Sequence, residues 1–266
     1  MIAPDIKHKI IRNFSLHARE YENHADFQKY SANRFFSRCE PILPLCTQHP
    51  VLEIGCGTGF VSEILLSASP DHHLEITDIS PAMLRQCQER LLSRQIPINH
   101  AKFYQLDGEK LDIGEHYGLI LSNLTFQWFL DFSGSLEKLM KALRPGGWLV
   151  FSVPGSGCYP EWKQACKELH LSVTANSLPD LTALTKQMQP HSARIHLEQM
   201  EYTEWHPSAR AFFHSLKAIG AATSLGSVRL SPSEFRRLLE YLDGQASDRG
   251  IPVTYELGIF TLQKQA

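Results

Sequence analysis

No Cys-x-x-Cys pair and no His-Glu-x-x-His occurs in this sequence, and its six cysteines (Cys39, Cys46, Cys56, Cys87, Cys158, Cys166) lie scattered. That spacing excludes the common zinc and dithiol motifs. It reads as reduced thiols in a reducing compartment, with neither metal nor disulfide needed for folding. The thirteen histidines show no ligand spacing either, and His72-His73 reads as a solvated turn before a strand. No apolar run approaches the length of a membrane span. Met1 to Asn13 mixes Asp5, Lys7, His8, Lys9 and Arg12 with apolar residues, unlike a signal-peptide core. Long basic runs are missing too, and a net charge of −2 counts against a general nucleic-acid binder. Nor is there an internal repeat or a disordered linker. These absences set the expectation of a cytoplasmic, metal-free protein that binds neither nucleic acid nor membrane, and a monomer is expected.

What is present centres on Pro50 to Gly59, Pro-Val-Leu-Glu-Ile-Gly-Cys-Gly-Thr-Gly. Val51, Leu52 and Ile54 have the apolar character of a strand buried on both faces. Gly55, Gly57 and Gly59 remove side chains where backbone must bend or approach a ligand. From Thr58 onward Val61, Ile64, Leu65 and Ala68 recur at helical spacing, so the turn feeds a helix whose first N–H groups face whatever the glycines admit. A dinucleotide fingerprint wants its third small residue five positions after the first glycine, where this chain has Phe60. The third glycine comes one place earlier, and Glu53 would repel a pyrophosphate. Cys56 within the turn reads as a small residue that fits, not as a nucleophile.

Glu-Ile-Gly-Cys-Gly-Thr-Gly resembles motif I of class I methyltransferases, which bind S-adenosylmethionine. A carboxylate at the strand end suits a ligand that carries an ammonium and a sulfonium and no phosphate. The rest of the 266-residue chain then alternates as an α/β fold requires. Residues 4 to 40 read as helical, with Ile11, Phe14, Ala18, Tyr21 and Ala25 as a loose apolar stripe, either packing or a lid over the ligand. Leu74 to Asp78 is a second strand. Asp78 lies about twenty residues beyond the glycines, where an acid accepts ribose hydroxyls. The competing reading is a helix cap, but Ser80 before Pro81 is the better cap and leaves Asp78 free. Ala101 to Leu106 is a third strand, and Asp107-Gly108-Glu109 either receives an adenine amino group or is a polar turn. Tyr117 to Ser122 is a fourth strand leading into Asn123-Leu124-Thr125-Phe126-Gln127-Trp128, which should face the transferable group. A helix over Leu136–Leu143 ends at Arg144-Pro145-Gly146-Gly147 before a fifth strand, Trp148 to Val153. Pro154 to Gln189 is too long for a turn and reads as an insertion. Ile195 to Trp205 is a strand, Ala209 to Ala222 and Pro232 to Leu242 are helices, and Val253 to Leu262 is the last strand.

Over nearly its full length the chain resembles the biotin-pathway malonyl-acyl-carrier-protein O-methyltransferases. The resemblance rests on Tyr21-Glu22-Asn23-His24-Ala25-Asp26, Ser122-Asn123-Leu124 with Gln127-Trp128, Ser215-Leu216-Lys217-Ala218-Ile219-Gly220-Ala221, and Pro252-Val253-Thr254-Tyr255. It implies a Rossmann-like fold with a mostly parallel seven-stranded sheet, helices on both faces, a helical lid over residues 1–45, a methyltransferase domain over 46–266 and an acceptor-binding insertion at about 154–190. It implies methyl transfer from S-adenosylmethionine to the free carboxylate of a malonyl thioester on acyl-carrier protein or coenzyme A, leaving S-adenosylhomocysteine. Glu53, Gly55, Cys56, Gly57, Gly59, Asp78, Ile79, Met83, Asp107, Gly108 and Asn123 would bind the cofactor. Tyr21, Gln127, Trp128, Asn176, Lys217 and Arg229 would bind the acceptor, with Tyr21, Trp128 and Lys217 nearest the chemistry. Lys217 and Arg229 could equally be solvated surface charges. The segment Ser152-Val153-Pro154-Gly155-Ser156-Gly157-Cys158 departs from the family pattern, and Ala175-Asn176-Ser177 matches only partly. Methylation of another small carboxylic acid, and non-catalytic binding of S-adenosylmethionine by a regulator, are the competing readings.

Overall fold

The computed structural model describes residues 4–18, 20–69, 72–220 and 228–265. Seven strands form one sheet: β1 (Val51–Ile54), β2 (Leu74–Asp78), β3 (Ala101–Gln105), β4 (Tyr117–Ser122), β5 (Leu143–Pro154), β6 (Arg194–His206) and β7 (Ile251–Gln263). Their spatial order is β3-β2-β1-β4-β5-β7-β6. The first five run parallel, and β7 is inserted antiparallel between β5 and β6. Every residue of β1, β2 and β4 is buried, as strands in the middle of a parallel sheet are on both faces. The winding reverses at β1, which has β2 on one side and β4 on the other. A crevice opens beyond the carboxyl ends of strands at such a reversal.

Alternation along β1 divides its side chains between two cores. Val51 joins the core shared with α2 (Asp26–Cys39), α3 (Phe60–Ala68) and α4 (Pro81–Ser93). Leu52 and Ile54 join the other, with α5 (Phe132–Ala142) and α7 (Leu181–Met188). Glu53 therefore faces the α3 side. Phe35 and Cys39 of α2 are fully buried in the same core, and a phenylalanine so buried contributes about 2–3 kcal/mol.

Several boundaries differ from expectation. The stretch 4 to 40 is α1 (Pro4–His17), a single 3₁₀ turn (Tyr21–His24) and α2, with a break that neither proline nor glycine announces. Strand β5 begins at Leu143, before Arg-Pro-Gly-Gly, and the chain passes the glycines as a register irregularity in its pairing with β4. The insertion after β5 holds α6 (Pro160–Glu168) and α7. The later helix runs Ala209–Ala218 (α8), and the part expected at Ala221 and Ala222 lies outside the described residues. The last helix, α9 (Pro232–Asp243), opens with a capping box between Ser231 and Glu234. No described helix is long and apolar enough to cross a membrane. Among the described residues no cluster of three His, Cys, Asp or Glu side chains could hold a metal ion.

Candidate active site

Gly55, Gly57 and Gly59 have φ of 75°, 55° and 93°, left-handed values that other residues adopt only under strain. They serve different ends. A Cβ on Gly55 would meet Thr125 Oγ1 at 2.2 Å, and one on Gly59 would meet Cys87 Sγ at 2.8 Å. A Cβ on Gly57 would meet nothing within 4 Å, because that glycine faces the open cleft. Gly59 is the N-cap of α3 and does not line the cleft. Cys56 does, and its thiol is pushed well up by burial and by neighbouring Cys87, which keeps it unreactive.

Two carboxylates stand at adjacent strand ends. Glu53 is buried on the α3 side, where Ser62 Oγ donates to Oε2 at 2.6 Å. Burial raises its carboxyl to about 7 against this hydrogen bond. Asp78 is not free as expected: Oδ2 accepts from the Gly57 N–H at 2.9 Å and Oδ1 from the Ser80 N–H at 2.7 Å. Ser80 caps α4 as anticipated, accepting from the Met83 N–H, so the acid braces the glycine turn and the helix entry together. Burial carries Asp78 to about 6 despite those donors. Each oxygen retains lone-pair capacity for a further donor. Two buried acids raised in this way suit a cationic ligand, whose charge would restore their ionised forms.

Ile79, Met83, Asp107 and Gly108 line the same cleft of about 110 Å³. Asp107 is already engaged by Lys7 of α1. Lys7 Nζ lies 2.6 Å from both Asp107 oxygens and 2.5 Å from Glu109 Oε2. Lys7, Ile10 and Phe14 place α1 across the cleft.

The turn that carries Tyr21 is tethered from below. Glu22 pairs with Arg90 at 2.6 Å, Arg90 pairs with Glu63 at 2.6 Å, and the Arg90 guanidinium lies 4.5 Å above the Phe60 ring. Tyr21 thus packs 6.5 Å from Phe60, centroid to centroid. Burial, with the Asp78 charge, pushes its hydroxyl well above the phenol range, so it stays protonated.

A second cavity of about 480 Å³ adjoins the first, and Phe14, Tyr21, Gln28, Leu124 and Trp128 line both. Its walls are aromatic, with Phe27, Trp162, Phe213, Phe235 and Tyr255 among them. Asn176, Gln127 and Arg229 also line it, and Arg229 is exposed. Gln127 donates from Nε2 to Leu124 O at 2.7 Å, while its buried Oε1 has no partner among the described residues. Leu124 sits at the junction with φ 51°, a left-handed value held by N–H bonds to Ser152 O and Oγ. Such strain in a leucine costs on the order of 1–3 kcal/mol and tends to mark functional sites.

Lys217 is exposed on α8 and lines neither cavity, whereas Leu216 of the same helix and Ile219 just after it do line the larger one. The small residues beside it admit a helix instead of a ligand. A Cβ on Gly220 would meet Phe14 at 3.2 Å and the Asn13 backbone at 3.4 Å, so the end of α8 abuts α1. Ala221 lies outside the described residues. Gln28, unnoticed in the sequence, occupies the junction on α2.

Comparison with known proteins adds identity to this geometry. A family model described as a methyltransferase domain matches residues 52–149. The malonyl-[acyl-carrier protein] O-methyltransferase of Magnetococcus marinus is 31% identical over 256 residues, spanning 95% of this chain and 92% of that protein. Its namesake in Priestia megaterium is 29% identical, spanning 97% of this chain and 98% of that one. Among solved structures, the YcgJ protein of Bacillus subtilis superposes with a TM-score of 0.57 at 13% identity, over 82% of this chain and 92% of that one, which speaks to the fold. The glycine turn, the two strand-end carboxylates and these full-length relatives agree: the chain belongs to the class I S-adenosylmethionine-dependent methyltransferases.

Proposed function

We propose that the protein methylates the free carboxylate of a malonyl thioester carried by an acidic acyl-carrier protein, or by coenzyme A, giving the methyl ester that starts pimeloyl synthesis for biotin in the cytoplasm. The observation that carries this reading is the larger cavity: about 480 Å³, aromatic-walled, open beside Arg229 and joined to the cofactor cleft at Tyr21, Gln28, Leu124 and Trp128. Those dimensions suit an acyl thioester with part of a slender arm. The names of the full-length relatives point the same way.

Glu53 and the Gly55–Gly57 backbone would hold the methionine end of the cofactor, Asp78 the ribose diol, and Asp107 and Gly108 the adenine between Ile79 and Met83. The cofactor supplies an electrophilic methyl group on a sulfonium. The chain's own task is positioning and exclusion of water. A carboxylate with a pKa near ~4 is already ionised at neutral pH, so no general base is required. Tyr21 and Trp128 close the junction with aromatic surface and a protonated donor, which brings an oxygen into line with the methyl group at the expense of solvent. Arg229 meets the negative charge of the acceptor or its carrier at the rim. Lys217, on the surface of the neighbouring helix, contributes to attracting the carrier and not to the chemistry.

The test is transfer of labelled methyl from S-adenosylmethionine to malonyl-carrier protein, malonyl-coenzyme A and free short carboxylates, with the ester identified by mass spectrometry. Transfer to free acids but not thioesters would assign another carboxylic acid as acceptor. Cofactor binding with no transfer to any of them would assign a binding regulator.

A further inference from the structure

A carboxylate that receives a methyl group must bring one oxygen to the cofactor while the rest of the acceptor fills the other cavity. Its reacting end therefore lies where the two cavities meet. Among the described residues, Phe14, Tyr21, Gln28, Leu124 and Trp128 line both. No cation is among them. Lys7 lines the cofactor cleft alone, where Asp107 and Glu109 hold it, and Arg229 lines the larger cavity alone. An ionised carboxylate leaving water needs hydrogen-bond donors. At the junction the side chains able to donate are the Tyr21 hydroxyl, the Trp128 indole and the Gln28 amide. The half-buried Gln28 amide has no hydrogen-bond partner among the described residues.

Gln28 reaches the junction from the acceptor side. Phe27, just before it on α2, lines the larger cavity alone and stacks 4.2 Å from Tyr255 of β7. Ser31 follows one turn later on the same face of α2. Its Oγ donates to Asn123 Oδ1 at 2.7 Å, and Ser152 Oγ donates to the same oxygen at 2.6 Å. Asn123 lies just beyond β4 and lines the cofactor cleft alone. Helix α2 is thus pinned to β7 and to the end of β4, which fixes Gln28 over the junction between them.

We propose that Gln28 is an acceptor-binding residue that selects for a carboxylate. Its Nε2–H donates to one oxygen of the acceptor carboxylate and leaves the other for the methyl group. The inference rests on the carboxyl-methylation reading above. A neutral donor suits the task, since a cation at this point would stabilise the ground-state carboxylate and blunt its attack. The same donor favours substrate over product, because an ester carbonyl accepts more weakly than an anionic oxygen. The cofactor carries a carboxylate of its own at the methionine end, and cofactor affinity separates the two.

Gln28→Met keeps the length and removes the amide. It should bind S-adenosylmethionine within about threefold of wild type by calorimetry. Its KM for the malonyl thioester should rise and kcat/KM fall about tenfold to a hundredfold, the worth of a hydrogen bond to a charged group. Gln28→Glu should lose more at pH 8. Its kcat/KM relative to wild type should recover toward pH 5.5, because a protonated carboxyl again offers a donor, whereas a packing defect would not recover. A fall in cofactor affinity matching the fall in kcat/KM gives the amide to the methionine carboxylate and overturns the proposal. Wild-type kinetics in Gln28→Met, or a Gln28→Glu ratio flat across that pH range, overturns it too. A wild-type protein that methylates no malonyl thioester defeats the functional reading alone. The donor is then tested on the protein loaded with S-adenosylhomocysteine, through the Gln28 side-chain amide resonances, identified by their loss in Gln28→Met. They should shift with millimolar butyrate and not with butylammonium. Equal responses to the two, or none, overturn the proposal independently of turnover.

Discussion

Lys7 on the first helix grips both oxygens of Asp107 at 2.6 Å across 100 residues of sequence, at the end of the cleft where the adenine is proposed to lie. With Lys7 and Asp107 both largely shielded, at 21% and 13% side-chain exposure, the pair is a latch and not a surface decoration. Asp107 serves one partner fully at a time. Lys7→Met should therefore bind S-adenosylmethionine as tightly as wild type or several-fold tighter, while α1 becomes more sensitive to limited proteolysis. Asp107→Ala should bind about tenfold more weakly. Stopped-flow binding and timed digestion check both outcomes.

The carboxyls of Glu53 and Asp78 stand at about 7 and about 6, raised by burial from ordinary values of 4.5 and 3.8. A raised acid keeps its proton in the native state after the unfolded chain has lost it. The associated stability is complete below the unfolded values and disappears as pH rises through the folded ones. The cofactor-free protein should consequently lose thermal stability between about pH 4.5 and pH 7. Binding of the cationic cofactor should release protons and tighten from pH 6 to pH 8. Calorimetry in buffers of differing ionisation enthalpy measures that release directly. Glu53→Gln should abolish the larger share.

Gly57 and Gly55 separate folding from binding. Gly57→Ala meets only the φ of 55°, costing about 1–2 kcal/mol in unfolding, yet its methyl group projects into the cleft and should weaken cofactor binding at least tenfold. Gly55→Ala adds the collision with Thr125 and should cost more stability than Gly57→Ala in chemical denaturation.

Tyr255 ties the larger cavity to a titrating carboxyl. Its ring stacks 4.2 Å from Phe27, and the carboxyl of Glu204 is pushed to about 7 by burial and by Asp26. Tyr255→Leu should lose the stacked ring pair, costing about 1 kcal/mol of stability, and raise the acceptor KM, with cofactor affinity unchanged.

Arg229→Glu should raise KM for malonyl-carrier protein more than for malonyl-coenzyme A. Lys217→Glu should have a smaller effect that vanishes at high salt, as a screened surface charge would. Kinetics on both substrates across an ionic-strength series distinguish the two positions.

Much of the fold is written locally. The apolar runs of β1, β2 and β4 and the glycine turn depend on residues adjacent in sequence, and each falls where periodicity and φ demands place it. The exposure of Lys217 was legible too: Phe212, Ser215, Leu216 and Ile219 form the buried face of α8, and one further residue turns a side chain about 100° away. Contacts between distant elements were not legible. Nothing near Lys7 signals Asp107, nothing near Ser31 signals Asn123, and nothing near Glu22 signals Arg90. The bonds of Asp78 to the Gly57 and Ser80 N–H groups were not legible, because a ligand-binding acid and a brace ask for the same short acidic side chain.

Phe14 faces both cavities from a single turn of α1, and Gly220 at the end of α8 rests against it. One helix is therefore the door to two rooms. On the proposed assignment of the two cavities, the methylated acceptor should leave first and S-adenosylhomocysteine second, and product-inhibition kinetics should then show the spent cofactor as competitive with S-adenosylmethionine.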